Sequence, residues 1–333
     1  MRIDPFEYVK PQTVAQALSA LEEQGPEAKI IAGGSDLLVR MKLGIVSPKY
    51  VIDIKNIADL NYIQDDNGGV RIGAGTSLTA IENSPLIRNR YSALAAAAGK
   101  VASFQIRNAA TITGNICLET MCWYYNQSRQ WKKSRPACNK AGGETCYVVN
   151  KPKVCYASYR GDTAIALIAL GATAKLQSAK EERTVPLEEL FTGDGTTPLK
   201  LAPQEMITEI QIPAPGARSG NSYFKVSHRN AVDYPQAAVG AAISLMPDNG
   251  KSASARIVLG AIASGPVRAR EAEKLLQGQD ITDELLERAA EAAMKDAHPV
   301  NNMAQGSPGY RRKMVKTLAI KALSAALEQA RQE

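Results

Sequence analysis

All five cysteines of the chain fall between positions 117 and 155, spaced Cys117-x4-Cys122-x15-Cys138-x7-Cys146-x8-Cys155. Clustering of this kind implies a shared ligand, and soft thiolates suit iron–sulfur clusters or zinc. The segment that carries them shows no hydrophobic period, as expected of a loop held by a metal rather than by a core. Plant-type [2Fe–2S] spacing requires C-x4-C-x2-C; Cys117 and Cys122 supply the first pair, but position 125 is Tyr125. No C-x2-C zinc knuckle occurs. A four-cysteine [4Fe–4S] cluster with irregular spacing is favoured over zinc and over unliganded thiols. Cys138, Cys146 and Cys155 lie deep in the segment, and Cys117 and Cys122 compete for the fourth place. The two histidines, His228 and His298, are too few for a His-rich metal site. No nucleophile–base triad stands out, so no catalytic residue is expected.

The same segment carries the charge. The chain has a net charge of +7. Between Trp123 and Ala157, Arg129, Lys132, Lys133, Arg135, Lys140, Lys151 and Lys153 face Glu144 as the one acid. The rest of the chain is close to neutral, and it shows no RNA-binding, helix-turn-helix or zinc-finger signature. This argues against nucleic acid as the partner; a basic nucleic-acid-binding protein with a zinc-held loop is the alternative from another class. No apolar stretch is long enough to span a bilayer. Met1-Arg2-Ile3-Asp4-Pro5 lacks a signal-peptide apolar core. A cytoplasmic protein is therefore expected, where thiols stay reduced.

Along the chain, Thr13 can cap a helix whose apolar face is Val14, Ala17, Leu18 and Leu21, ended by Gly25. Strand-like runs follow at Lys29–Ala32, Tyr50–Ile54 and Val70–Gly73. An Ala-rich helix at Ala93–Ala98 precedes Thr111–Asn115, expected as a loop. An insert runs from about Cys117 to Arg160, then a helix at Asp162–Leu170 and a strand at Ala172–Gln177. Pro213-Ala214-Pro215-Gly216 marks the best domain boundary. Beyond it, three strand-like segments (Ser222–Ser227, Ala237–Met246, Ala255–Ala263) precede helices at Ala269–Gln277, Thr282–Lys295 and Tyr310–Gln332. Strands followed by helices indicate an α+β domain.

Two segments suit a dinucleotide. The first is Ala32-Gly33-Gly34-Ser35-Asp36-Leu37, directly after a strand. Paired glycines let backbone N–H groups approach phosphate oxygens, and Ser35 adds a hydroxyl. The second is Thr111-Ile112-Thr113-Gly114-Asn115. Neither is a Rossmann fingerprint: Gly73-Ala74-Gly75 is followed by Leu78 where a third glycine should stand, and no P-loop lysine follows either segment.

The order of these segments, with the C-terminal α+β domain, resembles the FAD-binding medium subunit of the xanthine dehydrogenase and carbon monoxide dehydrogenase family, over essentially the whole chain. The resemblance implies an α+β, two-subdomain FAD-binding fold of the vanillyl-alcohol oxidase type over residues 1–216, with the insert at about 117–160. A C-terminal domain with a three-stranded sheet plus helices follows over 217–333. It implies that both segments bind the FAD pyrophosphate, with Thr113 standing where many relatives carry glycine. Asp162 matches the aspartate that binds the ribityl chain, although on local grounds it is a helix N-cap. Lys225 and Arg229 lie where the family's C-terminal domain nears the flavin; Lys225 is the one taken as a cofactor contact.

The insert is similar to that of the 4-hydroxybenzoyl-CoA reductase branch, whose FAD subunit carries a [4Fe–4S] cluster just after the Thr-x-x-Gly-Asn segment. On that resemblance Cys122, Cys138, Cys146 and Cys155 are the ligands, and Cys117 is a buried thiol. The implied partners are a large molybdenum-cofactor subunit, a small subunit with two [2Fe–2S] clusters and a ferredoxin-like donor, in a dimer of heterotrimers. The implied reaction is reductive dehydroxylation of an aromatic CoA thioester. A related hydroxylase oxidising another aromatic or heterocyclic substrate is the alternative.

Overall fold

Thr13 caps the first helix, Val14–Gln24, by accepting from the Gln16 N–H at 3.2 Å, and Gly25 ends it at φ 52°. This computed structural model describes residues 3–303 and 305–332. The helix turns Ala17, Leu18 and Leu21 onto a parallel three-stranded sheet of Glu7–Val9, Tyr50–Asp53 and Ala28–Ile31, in that order. The chain leaves Ala28–Ile31 directly into the Gly33–Gly34 turn.

A second unit is built on a five-stranded antiparallel sheet, ordered Ile63–Asp66, Gly69–Gly73, Met206–Ile212, Thr173–Gln177, Glu182–Pro186. Helices Leu78–Asn83, Ser92–Gly99 and Thr163–Ala169 pack with it around Ile72, Leu78, Leu94 and Ile210. Every residue of Thr163–Ala169 is buried. That helix lies between the second unit and the C-terminal sheet, whose Tyr223, Ala238 and Val258 join the same core.

The C-terminal unit has four antiparallel strands, ordered Val267–Arg268, Ser252–Gly260, Ala237–Leu245, Ser219–Val226. Helices Arg270–Leu276, Asp283–Lys295 and Pro308–Gln332 cover one face through Leu286, Leu318 and Leu323. The fold is α+β, as expected from strands followed by helices. Two local expectations are corrected. The three-stranded sheet gains a two-residue fourth strand, Val267–Arg268. Thr111–Asn115 is not a loop: Thr111 caps a short helix, Ile112–Ile116, by accepting from the Gly114 N–H at 3.2 Å. Among the described residues, no helix is long and apolar enough to cross a membrane.

Candidate functional site: a cleft beside a thiol-lined cavity

A cleft of about 530 Å³ lies where the first unit, the second unit and the C-terminal domain meet. Its size is that of a ligand pocket. Ala32, Gly33, Gly34, Ser35, Asp36, Leu37, Thr111, Thr113, Gly114, Asn115 and Asp162 all line it. The first segment packs against the residues that lead into the second. A Cβ on Gly33 would meet the backbone of the other segment's approach, 2.6 Å from Ala109 C and 2.8 Å from Ala110 Cα. Only glycine permits that approach, and Gly34 takes φ +69°, a region that side chains disfavour. None of the N–H groups of Gly33, Gly34 and Ser35 donates to an acceptor among the described residues. Free backbone donors in a glycine turn suit phosphate oxygens.

The second segment uses its side chains structurally. Thr111 caps its own helix. Thr113 donates its hydroxyl to Ala74 O at 2.9 Å, so it points into protein. Asn115 accepts from the Thr163 N–H at 3.0 Å and the Thr163 hydroxyl at 2.7 Å. Asn115 therefore caps the buried helix, and the capping role read for Asp162 is corrected. Asp162 stands at the N-cap position without a capping bond. Its carboxylate takes the Tyr223 hydroxyl at 2.6 Å and pairs with Lys225 at 3.0 Å. Burial pushes the Asp162 carboxyl above its ordinary value, with Lys225 and Tyr223 acting against that.

Lys225 itself is not among the residues lining the cleft. It reaches Asp162 from the C-terminal sheet and also donates to Lys100 O at 2.6 Å, so the contact it makes in this structure is with Asp162. Arg229 pairs with Asp233 at 3.9 Å on the exposed connection beyond.

This pair yields a prediction. Both side chains are 4% exposed, so Lys225→Met leaves a buried, uncompensated carboxylate and should cost about 3–5 kcal/mol of stability at neutral pH. A carboxyl with a raised folded-state pKa binds more protons folded than unfolded, so its contribution falls as pH rises through that value. The penalty of Lys225→Met should therefore shrink toward mildly acidic pH. Thermal midpoints across a pH series check this; an equal penalty at every pH would contradict the pairing.

The insert closes at its base through the Met121–Ser158 bridge. Cys122, Cys138, Cys146 and Cys155 line one small, almost wholly apolar cavity with Tyr125 and Lys140. Cys117 is absent from it; this thiol packs against the second core, and burial pushes it up to about 12. Burial also raises the Cys122 and Cys155 thiols, with Lys140 opposing this at Cys155. Tyr124 and Tyr147, stacked on each other, also line the cavity, and Trp123 and Trp131 pack edge-on beside them, with Arg135 3.6 Å over Trp131. All five cysteines are free. Among the described residues, no group of three or more His, Cys, Asp or Glu is disposed to hold a metal ion. The expectation of an iron–sulfur cluster thus finds no ligand group in the structure.

Ion pairs join cavity to cleft: Asp36 to Arg40 at 3.8 Å, Arg40 to Glu119 at 3.1 Å, Glu119 to Lys140 at 2.9 Å. Burial pushes Glu119 up, but Lys140 and Arg40 outweigh it and hold the carboxyl below its ordinary value. Sequence reading missed this chain, because its members are scattered and individually ordinary. It also missed Arg160, Val232, Asp233 and Tyr234, which line the cleft. The Gly161-Asp162 step beside Arg160 was the available signal.

Residues 4–215 match the family described as FAD binding domain in molybdopterin dehydrogenase, and residues 222–326 match the CO dehydrogenase flavoprotein C-terminal domain. The aldehyde oxidoreductase FAD-binding subunit of Escherichia coli is 32% identical, covering 85% of this chain and 90% of that protein. The carbon monoxide dehydrogenase medium chain of Hydrogenophaga pseudoflava is 29% identical, covering 96% of each. The solved structure of carbon monoxide dehydrogenase from Hydrogenophaga pseudoflava superposes with a TM-score of 0.81 at 28% identity, covering 99% of each chain.

Proposed function

The chain belongs to the FAD-binding family of molybdopterin dehydrogenases, and from that premise we propose that it carries electrons in a molybdenum hydroxylase complex acting on an aromatic or heterocyclic substrate. It is an FAD-binding oxidoreductase subunit of the xanthine dehydrogenase and carbon monoxide dehydrogenase family. The partners in this reading are a large molybdenum subunit and a small subunit with two [2Fe–2S] clusters. Residues 1–216 bind FAD and 217–333 cover it; Met1, Arg2, Ala304 and Glu333 lie outside the described residues.

The observation that carries the site is the convergence of the two glycine-bearing segments on one cleft lined by free N–H donors. Gly33, Gly34 and Ser35 bind the pyrophosphate through backbone N–H groups. Thr111, Thr113 and Asn115 hold the facing backbone still. Asp162, fixed by Lys225 and Tyr223, accepts hydroxyls of the ribityl chain. FAD, when bound, exchanges one or two electrons and so connects one-electron and two-electron partners. Identification of the flavin released by denaturing the purified protein tests this assignment.

The finer reading is a 4-hydroxybenzoyl-CoA reductase-like complex, with a [4Fe–4S] cluster on Cys122, Cys138, Cys146 and Cys155. Its support is the one cavity that these four thiols share and Cys117 does not. Lys133, Lys151 and Lys153 of the insert are exposed and suit an acidic, ferredoxin-like donor. Reversal of Lys133 and Lys151 to Glu should slow electron entry at low salt about tenfold and flatten its salt dependence, because steering is screened by ions. Stopped-flow reduction across a salt series reads this; rates unaltered at every salt concentration would remove the docking role.

A further inference from the structure

Arg160 is 7% exposed and lines the cleft. Its Nε is buried without a partner. Among the described residues its guanidinium makes no ion pair or hydrogen bond; its one contact of note is the Tyr234 ring, 5.8 Å from the centroid. A buried guanidinium left in this way is costly unless a ligand completes it. The contrast with a neighbour is instructive. Arg311, 1% exposed and close enough to repel Arg160, donates to Gln236 O at 3.0 Å, Val300 O at 3.1 Å and Ala261 O. That charge is satisfied by backbone carbonyls, whereas Arg160 has none. Nor does the carboxylate two residues on compensate it, since Asp162 is paired with Lys225.

The charged and titratable groups that act on Arg160 are Tyr234 and Asp233 of the C-terminal domain and Cys122 of the insert. It lies in the cleft wall beneath an aromatic ring from the C-terminal domain. The pyrophosphate has its own donors at Gly33, Gly34 and Ser35. What remains for a fixed cation here is charge that the flavin ring acquires.

We propose that Arg160 is a positioning charge for flavin reduction, offsetting the negative charge on the ring of reduced FAD. This rests on the reading that the cleft holds the flavin. Two electrons from the substrate-oxidising partner, or from dithionite in a test, and one proton from solvent convert neutral-ring FAD to a reduced form with one negative charge. Arg160 stays protonated throughout, and no bond to it forms or breaks. By favouring the reduced form, it makes the cleft a better electron acceptor from either side.

The test is the equilibrium between oxidised and reduced FAD against a reference dye, in the purified protein and in Arg160→Gln and Arg160→Lys. Arg160→Gln should keep its FAD but lose about tenfold of its preference for reduced over oxidised flavin, equivalent to about 1.4 kcal/mol of charge stabilisation. Arg160→Lys should restore most of it. An unchanged equilibrium in Arg160→Gln with normal FAD content overturns the inference. So does loss of FAD from Arg160→Gln, with retention in Arg160→Lys and an unchanged equilibrium in the flavin that remains; that result assigns the charge to the pyrophosphate. Wild-type protein without FAD would instead strike at the assignment of the cleft itself.

Discussion

Gly33→Val is expected to strip FAD from the protein while leaving the fold in place. A Cβ at this position meets Ala109 and Ala110 backbone at 2.6–2.8 Å, and backbone cannot rotate away as a flexible side chain can. The turn must therefore lift off the facing segment and carry the free N–H groups of Gly33, Gly34 and Ser35 out of register. Hydrogen bonds to charged groups contribute about 1.5–3 kcal/mol each. Losing two weakens binding by about 10²–10⁴-fold, enough to empty the site during purification. The second unit and C-terminal domain have their own cores, so circular dichroism should stay close to wild type. Flavin counted after denaturation reads the effect; full FAD content in the variant would move the pyrophosphate elsewhere.

The cysteine series should divide four against one. Cys122, Cys138, Cys146 and Cys155 share the cavity, and Cys117 lies in the neighbouring core. On the cluster reading, wild type and Cys117→Ala carry about four irons per chain, the number set by the cluster type. Cys122→Ala and Cys138→Ala should lose most of that iron and the accompanying sulfide while FAD stays bound. Iron and sulfide analysis on the four proteins separates the possibilities. Iron absent from wild type would end the cluster assignment. Iron lost from Cys117→Ala but kept in Cys122→Ala would exchange the fourth ligand.

The elements most legible in the sequence are those with local signals. Thr13 and Gly25 bracket the first helix because a hydroxyl cap and a positive-φ glycine at the C-cap are nearest-neighbour chemistry. The C-terminal strands and helices showed through their apolar periodicity. Three strands of the central sheet did not show. Met206–Ile212 is buried on both faces, so its burial does not alternate, and Glu182–Pro186 is a polar edge. Thr111–Asn115 reads as a loop because a short helix is too brief to display a period.

At the site, the glycine pair was legible because only glycine tolerates such an approach. The Asp162–Lys225 pair joins residues that the sequence separates by a domain boundary, and no spacing rule connects them. In the sequence each stands alone, and only the fold brings their side chains together. The Gly161-Asp162 step drew attention to the neighbourhood of Arg160, but an unpaired guanidinium is recognised only once every neighbour is in view.

The central claim is that the cleft between Gly33–Ser35 and Thr111–Asn115 holds FAD. Its most direct measurement is denaturation of the purified protein, with chromatographic identification and counting of the flavin released. The account predicts FAD, at about one per chain as a single dinucleotide site requires, and its near-complete loss in Gly33→Val. Flavin-free wild-type protein, or undiminished FAD in that variant, would contradict it.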